Sequence, residues 1–137
     1  MIEELVLSIA LTWLLVKIIK TIVDCKKEKK FSLRILFYDG GMPSAHTASV
    51  VSLATALFLE TGFSALFVIG VIFALIVIND ALKVRMITQE QSRIINKLTE
   101  GKKDYKRLDE RVGHKPLEVL VSLVLGIIIP IIIYAVI

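Results

Sequence analysis

The sequence predicts an all-α integral membrane protein, a bundle of about four transmembrane helices with one amphipathic helix at the membrane surface. Of 137 residues, 55% are hydrophobic, and the mean hydropathy is +0.75. The 22% of charged residues lie mostly between four apolar runs at 5–23, 48–59, 63–78 and 117–137. A transmembrane helix needs about 20 residues, and about 17 is near the lower limit. We expect a single domain, 1–137.

The lengths and flanking residues of the first three runs support their assignment as transmembrane helices. The first opens on acidic residues with no cleavage signal, so it is a retained span in which Lys17 and Lys20 snorkel toward an interface. The second is long enough only if its helix starts near Ser44. The third follows it after the short segment ETGFS (60–64), which predicts an antiparallel helical hairpin.

The basic residues predict the topology. Two loops, between spans one and two and between spans three and four, hold most of the 17 Lys and Arg, and the hairpin at 60–64 holds none. The positive-inside rule therefore places both loops in the cytoplasm and both termini outside, in a multi-pass plasma-membrane protein. The net charge of +4 reflects these loops, and we expect no nucleic-acid partner. The single cysteine, Cys25, excludes an internal disulfide.

Two helix-spaced patterns complete the architecture. An apolar stripe precedes a charged loop at 101–111 and predicts the amphipathic surface helix; it comprises Val84, Ile87, Ile94, Ile95 and Leu98. Small residues recur every four positions in span two, at Ala48, Ser52 and Ala56. Such a stripe lets another helix approach closely. It favours a homodimer but is equally satisfied inside one chain.

Unusual polar residues collect at the cytoplasmic ends of the predicted spans. They are Asp39, Gly41, Ser44 and His46 before or at the start of span two, Asn79, Asp80, Lys83 and Arg85 after span three, and Arg111, His114, Lys115 and Glu118 at the start of span four. Pro43 and Pro116 suit first helical turns. Each histidine thus adjoins a helix N-terminus, which attracts phosphate. The sequence predicts a phosphate-handling site.

Simpler interpretations of single residues remain open. A histidine at a membrane interface is often present only because a polar side chain is tolerated at that depth. Glu118 lies four residues after His114, so it either orients the imidazole or caps its own helix. Asp80 either joins the site or pairs with Lys83 or Arg85.

The motifs PSAH (43–46) and HKPLE (114–118) resemble those of the type 2 phosphatidic acid phosphatase superfamily, which includes vanadium-dependent haloperoxidases. The ordered set GGMPSAH, NDALKVR, Gln91 with Asn96, and GHKPLEV resembles its divergent membrane branch, from about residue 39 to the C-terminus.

The resemblance implies that His114 is the nucleophile, that Glu118 orients it, that His46 protonates the leaving oxygen, and that Ser44 binds a phosphate oxygen. Gly41, Lys83, Arg85 and Arg111 would bind phosphate, with Asp39, Asn79, Asp80, Gln91 and Asn96 in support. The expected substrate is a lipid phosphate in the bilayer: phosphatidic acid, phosphatidylglycerol phosphate or a polyprenyl phosphate. No cofactor is expected.

The sequence departs from the superfamily in its first motif and in its third motif. The first motif, a lysine followed seven residues later by Arg-Pro, is absent, and Leu108 stands where the third motif has its arginine. Arg85, Arg107 and Arg111 are candidate replacements. Two alternatives to the phosphohistidine mechanism therefore stay open: a non-catalytic lipid-phosphate binder or carrier, and a metal-dependent phosphatase with a metal site built from Asp39, His46, Asp80, His114 and Glu118.

Overall fold

The computed structural model of the chain describes residues 2–29, 40–102 and 104–136, and all regular structure in that part is helical. The helices are α1 (Ile2–Glu28), α2 (Ala45–Thr61), α3 (Ala65–Asn79), a π-helical segment (Asp80–Val84), α4 (Arg85–Leu98) and α5 (Pro116–Val136). Three helices are long and apolar enough to cross a membrane: Ile2–Glu28, the continuous Ala65–Leu98, and Pro116–Val136. The predicted helical membrane bundle is confirmed, with α2, at 17 residues, near the lower limit for a span.

Helix α2 occupies the centre of the bundle and packs against α1, α3 and α5. Its small residues Ala48, Ser52 and Ala56 are completely buried, and the Ser52 hydroxyl lies 3.1 Å from that of Thr12 in α1. The small-residue stripe is therefore satisfied inside one chain. A homodimer stays a prediction, without support from this stripe.

The ends of the helices alternate as an antiparallel bundle requires. Ser44 caps α2 by accepting a hydrogen bond from the backbone N–H of Thr47, as the predicted helix start requires. At the opposite end of the bundle, the Tyr134 hydroxyl of α5 donates to the carboxylate of Glu60 at 2.8 Å. The ends of α1 and α3 and the beginnings of α2 and α5 consequently share one end, where the predicted site residues lie.

Span three does not stop at Asn79, where the polar residues suggested an end. No glycine or proline occurs from residue 71 to residue 98, so the helix continues through the π segment into α4. The continuous helix has 34 residues and is about 51 Å long, whereas the hydrocarbon core is about 30 Å thick. The apolar stripe of α4 is exposed, with Ile87 59% and Leu98 74% accessible.

Gly126 lets α5 approach α2, and its replacement tests this packing. A methyl group there would lie 2.7 Å from the Ala48 carbonyl oxygen and 2.8 Å from Cβ of Val51. We expect Gly126→Ala to cost about 1–3 kcal/mol and lower the Tm in detergent. Gly70→Ala is the matched control, because its nearest neighbour is the flexible end of Leu57. Equal Tm values for the two variants would contradict this account.

Candidate active site

His114 lies immediately before α5 and joins three parts of the bundle. Its side chain is 2% exposed, and its ring Nδ1 lies 3.0 Å from the carbonyl oxygen of Gly41. Its backbone N–H donates to the carbonyl of Ala81, in the π segment, at 3.3 Å. The loop before α2, the end of α3 and the start of α5 therefore hold this imidazole in place.

The Gly41 contact defines the tautomer of His114. A carbonyl oxygen only accepts hydrogen bonds, so Nδ1 carries the proton and donates it. In the neutral ring, Nε2 then carries a free lone pair. Nε2 is buried and has no hydrogen-bond partner among the residues that the structure describes. A buried polar atom left without a partner is costly, which is typical of a group reserved for a ligand or for catalysis.

Glu118 carries out both of the roles that the sequence left open. Its Oε2 lies 3.5 Å from His114 Nδ1, one helical turn away, so its negative charge faces the Nδ1–H edge of the ring. The same oxygen accepts the backbone N–H of Lys115 at 3.0 Å and so caps the start of α5. One carboxylate therefore caps the helix and lies beside the imidazole.

Ser122 ties the start of α2 to α5. Its hydroxyl donates to the Glu118 carbonyl at 2.6 Å and accepts the backbone N–H of Ser44, also at 2.6 Å. The Ser44 side chain itself is fully buried and occupied in capping α2. In this structure Ser44 therefore fixes the helix start and does not project into open space.

The glycine pair before α2 runs close to two other segments. Gly40 donates its N–H to the Arg111 carbonyl at 2.8 Å. Gly41 has φ = 104°, in the left-handed region, and a side chain there would meet the Asp24 carboxylate at 3.2 Å. The carbonyl that holds His114 is thus presented by a turn packed directly against Asp24 of α1.

Two buried charged residues of α1, Lys20 and Asp24, were not among the predicted site residues, and Asp24 adjoins the Gly41 turn. Lys20 is 3% and Asp24 is 4% exposed, and their opposite charges interact one turn apart on the inner face of α1. Lys20 was predicted to snorkel to an interface, and that interpretation is wrong because its side chain is buried in the bundle. The available signal was a stripe at four-residue spacing, made of Ser8, Thr12, Val16, Lys20 and Asp24, all of them buried. Ionisable residues inside a membrane helix are often functional.

The predicted arginines have partners of their own. Arg85 Nε donates to Asp80 at 2.7 Å, which is the simple pairing that the sequence left open. Arg111 pairs with Glu28 at the end of α1. Lys83, Lys115, Asn79 and Gln91 are exposed, and so is His46 on the first turn of α2. Asp39 lies outside the described residues.

Asn96 supports the loop that leads to His114. Its amide binds the backbone of Leu108 and donates to the Glu110 carboxylate at 2.7 Å. The hydrogen bonds from Asn96 and Arg107 lower the pKa of Glu110. Further along, Gly113 donates its backbone N–H to Gln89 at 3.2 Å. Helix α4 therefore supports the loop that leads to His114.

A metal centre finds no geometric support in the described part of the chain. No three His, Cys, Asp or Glu side chains there are placed so that they could hold one ion. The five proposed ligands include Asp39, which lies outside that part.

A family model described as the Divergent PAP2 family matches residues 2–129. The chain belongs to the Divergent PAP2 family. The resemblance seen in PSAH and HKPLE is thereby confirmed, and it extends over nearly the whole chain. The chain is also 34% identical over 130 residues to an uncharacterised membrane protein of Bacillus subtilis (strain 168), YuiD, covering 82% of each. No solved structure matches.

Proposed function

We propose that this Divergent PAP2 protein is a lipid-phosphate phosphatase that uses His114 Nε2 as its nucleophile. The observation that carries the proposal is the state of the imidazole, in which Nδ1 donates to Gly41 and Nε2 keeps its lone pair without a partner among the described residues. Family membership supports it, since its namesake superfamily hydrolyses phosphate esters. Nε2 is buried, so substrate reaches it only after neighbouring segments move apart.

The chemistry consists of two displacements at phosphorus. The Nε2 lone pair forms an N–P bond while the bond from phosphorus to the leaving lipid oxygen breaks, and His46 supplies the proton to that oxygen. Water then attacks the phosphohistidine and gives a proton to His46, which restores the acid; the N–P bond breaks, its electron pair returns to Nε2, and inorganic phosphate leaves. Glu118 stabilises the positive charge that develops on the ring in each step.

Positive groups near the site are suited to balance the phosphate charge. The free N–H groups at the start of α5 attract anions, and Lys115 immediately precedes that first turn. Lys20 is a buried cation one turn from Asp24, and Asp24 adjoins the Gly41 turn. Lys20 is therefore a further candidate source of positive charge, beside Arg85 and Arg111, which pair with Asp80 and Glu28.

The same arginine pairs favour a second candidate, a lipid-phosphate binder or carrier without turnover. Arg85, Arg107 and Arg111 are the arginines that the sequence offered for transition-state charge, and all three pair with carboxylates. The two candidates differ in product, because only the phosphatase releases inorganic phosphate.

The deciding experiment is phosphate release by the purified protein from phosphatidic acid, phosphatidylglycerol phosphate and a polyprenyl phosphate. We expect release from at least one, inhibition by vanadate, which mimics a trigonal-bipyramidal phosphorus, and little effect of chelators. Binding without release from any of the three would favour the carrier. Strict dependence on Mg²⁺ or Mn²⁺, with His114→Ala still active, would favour the metal-dependent alternative.

We propose a cytoplasmic site with both termini outside, in the plasma membrane. The shared end of the bundle carries Lys26, Lys27 and Lys29, while the hairpin end carries Glu60 and no Lys or Arg. Cys25, near the end of α1, is therefore expected to react with an impermeant thiol reagent in inside-out vesicles only.

The matched control for this topology is Phe63→Cys in a Cys25→Ser background. Phe63 is 88% exposed at the hairpin end, so its replacement should label in sealed right-side-out vesicles. The reverse pattern for the two cysteines would move the site to the outer face.

A further inference from the structure

Thr47, in the first turn of α2, differs from every other threonine of the chain. Six of the seven threonines donate their hydroxyls to the backbone carbonyl four residues earlier: Thr12, Thr21, Thr55, Thr61, Thr88 and Thr99. The Oγ1 atom of Thr47 is buried and has no hydrogen-bond partner among the described residues. Its hydroxyl is therefore the one threonine side chain that the described structure leaves unpaired.

The place of Thr47 in the helix explains why its hydroxyl is unpaired. The carbonyl four residues earlier belongs to Pro43, which precedes both α2 and its capping residue Ser44. The Thr47 side chain is completely buried, so bulk solvent does not replace the missing acceptor. A buried hydroxyl without a partner is costly, and such groups in native proteins usually have a functional reason.

Thr47 lies on the face of α2 that is turned toward α3 and α5. Val51, one turn later on the same face, belongs to a buried cluster with Ala74 of α3, and Leu123 of α5 packs against that cluster. Helical residues four positions apart share a face. The Thr47 side chain consequently points into the gap between α3 and α5, one turn nearer to the start of α2.

His114 closes this gap at the end that carries the site. Helix α3 is antiparallel to α2, so the gap beside the start of α2 is also beside the end of α3, and there Ala81 accepts the N–H of His114. Nε2 of His114 is likewise buried and without a partner in the described part of the chain. A hydroxyl and an imidazole lone pair thus lie at the same end of one interior gap, and they do not bond to each other.

A chain of contacts fixes the two side chains relative to each other. The backbone N–H of Thr47 donates to the Ser44 hydroxyl at 3.3 Å, and the N–H of Ser44 donates to the Ser122 hydroxyl at 2.6 Å. Ser122 donates to the carbonyl of Glu118, whose carboxylate lies 3.5 Å from Nδ1 of His114. The first turn of α2 and the start of α5 are therefore held in register.

A phosphate at Nε2 needs hydrogen-bond donors for its non-bridging oxygens. The resemblance implied that Ser44 is such a donor, but its hydroxyl is buried and occupied as the cap of α2. Thr47 offers a free hydroxyl in the same turn, next to first-turn N–H groups that have no acceptor within the helix. A tetrahedral oxyanion is the kind of ligand that both groups suit.

We propose that Thr47 Oγ1 donates a hydrogen bond to a non-bridging oxygen of the phosphate held at His114 Nε2, the contact that the resemblance implied for Ser44. The inference rests on the proposed function for the position of the phosphate. It adds a substrate-binding residue outside the predicted set. The threonine keeps its proton throughout, so Thr47 binds the phosphate and transfers nothing to it.

The test compares three variants of α2. Thr47→Val keeps the β-branched shape and removes the hydroxyl, whereas Thr47→Ser keeps a hydroxyl. Thr55→Val is the matched control, because it makes the same change two turns later to a hydroxyl that already bonds the carbonyl of Val51 at 2.9 Å.

We expect Thr47→Val to lower kcat/KM for phosphate release about 10–100-fold, the usual loss for a hydrogen bond to a charged group. Thr47→Ser and Thr55→Val should stay close to the wild-type value. The Tm of ligand-free Thr47→Val in detergent should equal or exceed that of wild type, because the substitution removes a buried hydroxyl that has no partner. Lower activity without lower stability distinguishes a phosphate contact from a packing role.

Vanadate measures the contact without turnover. A ligand that binds the folded state raises its Tm. Vanadate should therefore raise the Tm of wild type, Thr47→Ser and Thr55→Val, and at the same concentration it should raise that of Thr47→Val much less.

The outcomes separate this contact from the phosphatase. An unchanged kcat/KM and an unchanged vanadate shift in Thr47→Val would overturn the contact and leave the phosphatase in place. A lower Tm of ligand-free Thr47→Val would overturn it too, since it would indicate a structural partner such as a buried water. So would the absence of any vanadate shift in wild type. A vanadate shift lost only in Thr47→Val, without phosphate release from any lipid, would support the contact and contradict the phosphatase.

Discussion

His114→Ala is expected to reduce phosphate release by at least about 10³-fold, since removal of a catalytic nucleophile leaves only the residual effects of binding. The physical reason is specific to Nε2. It is the ring nitrogen that has no hydrogen-bond partner among the described residues. The other, Nδ1, donates to the Gly41 carbonyl and lies near Glu118. The measurement is inorganic phosphate produced per enzyme from the best lipid phosphate of the panel.

The alanine variant also removes a buried side chain, so a second variant is needed. His114→Asn retains an amide that can donate to the Gly41 carbonyl, and we expect near-normal elution and Tm with activity as low as in His114→Ala. Wild-type protein quenched in base during turnover should carry an acid-labile phosphate that both variants lack. Full activity of a folded His114→Asn protein would eliminate the nucleophile assignment.

His46 is expected to behave differently if it is the general acid. His46→Ala should lower the rate by about 10²–10⁴-fold with lipid phosphates, the usual contribution of proton transfer. The loss should be smallest with a substrate such as p-nitrophenyl phosphate, whose leaving group needs no proton. An equal loss with both kinds of substrate would argue that His46 has no proton-transfer role.

The helices and the His114–Glu118 pair follow from local sequence features. Hydropathy marks the spans, Ser44 marks the start of α2, and four-residue spacing places Glu118 beside the imidazole. The hydrogen-bond partner of His114 Nδ1 could not be predicted from the sequence. A backbone carbonyl 73 positions away holds His114, and side-chain chemistry gives no hint of which carbonyl it is.

Charge assignments were harder to predict than helices. A lysine in an apolar run suggests a side chain that extends to the membrane interface. Lys20 instead lies on the face of α1 that is buried in the bundle. Which face is buried depends on α2 and α5 packing against α1, and that is a tertiary property. Likewise Arg111 binds Glu28 across the loop, a pairing with no local signature. The prediction also ended span three near Asn79, whereas α3 continues into α4, since polar residues alone do not end a helix.

The second large effect concerns Lys20 and Asp24. Both residues are buried and their opposite charges interact, and removing one of two buried charges that compensate each other typically costs about 3–5 kcal/mol. We therefore expect Lys20→Met to lower the Tm in detergent sharply. Lys17→Met is the matched control on the same helix: Lys17 is only half-buried, with its ammonium 5.8 Å from the Trp13 ring, and should cost about 1 kcal/mol or less.

The double variant Lys20→Met/Asp24→Asn separates folding from function. Neutralising both partners removes the stranded charge, so the Tm should return close to the wild-type value. If Lys20 supplies charge to the phosphate, release should nevertheless remain reduced by about 10²-fold, a typical loss for one electrostatic contact to the transition state. If the double variant recovers both the Tm and phosphate release, Lys20 and Asp24 have only a structural role. If Lys20→Met lowers the Tm no more than Lys17→Met does, Lys20 and Asp24 do not compensate each other. Because Asp24 packs against the Gly41 turn that holds His114, the expected outcome is recovery of the fold without recovery of the chemistry.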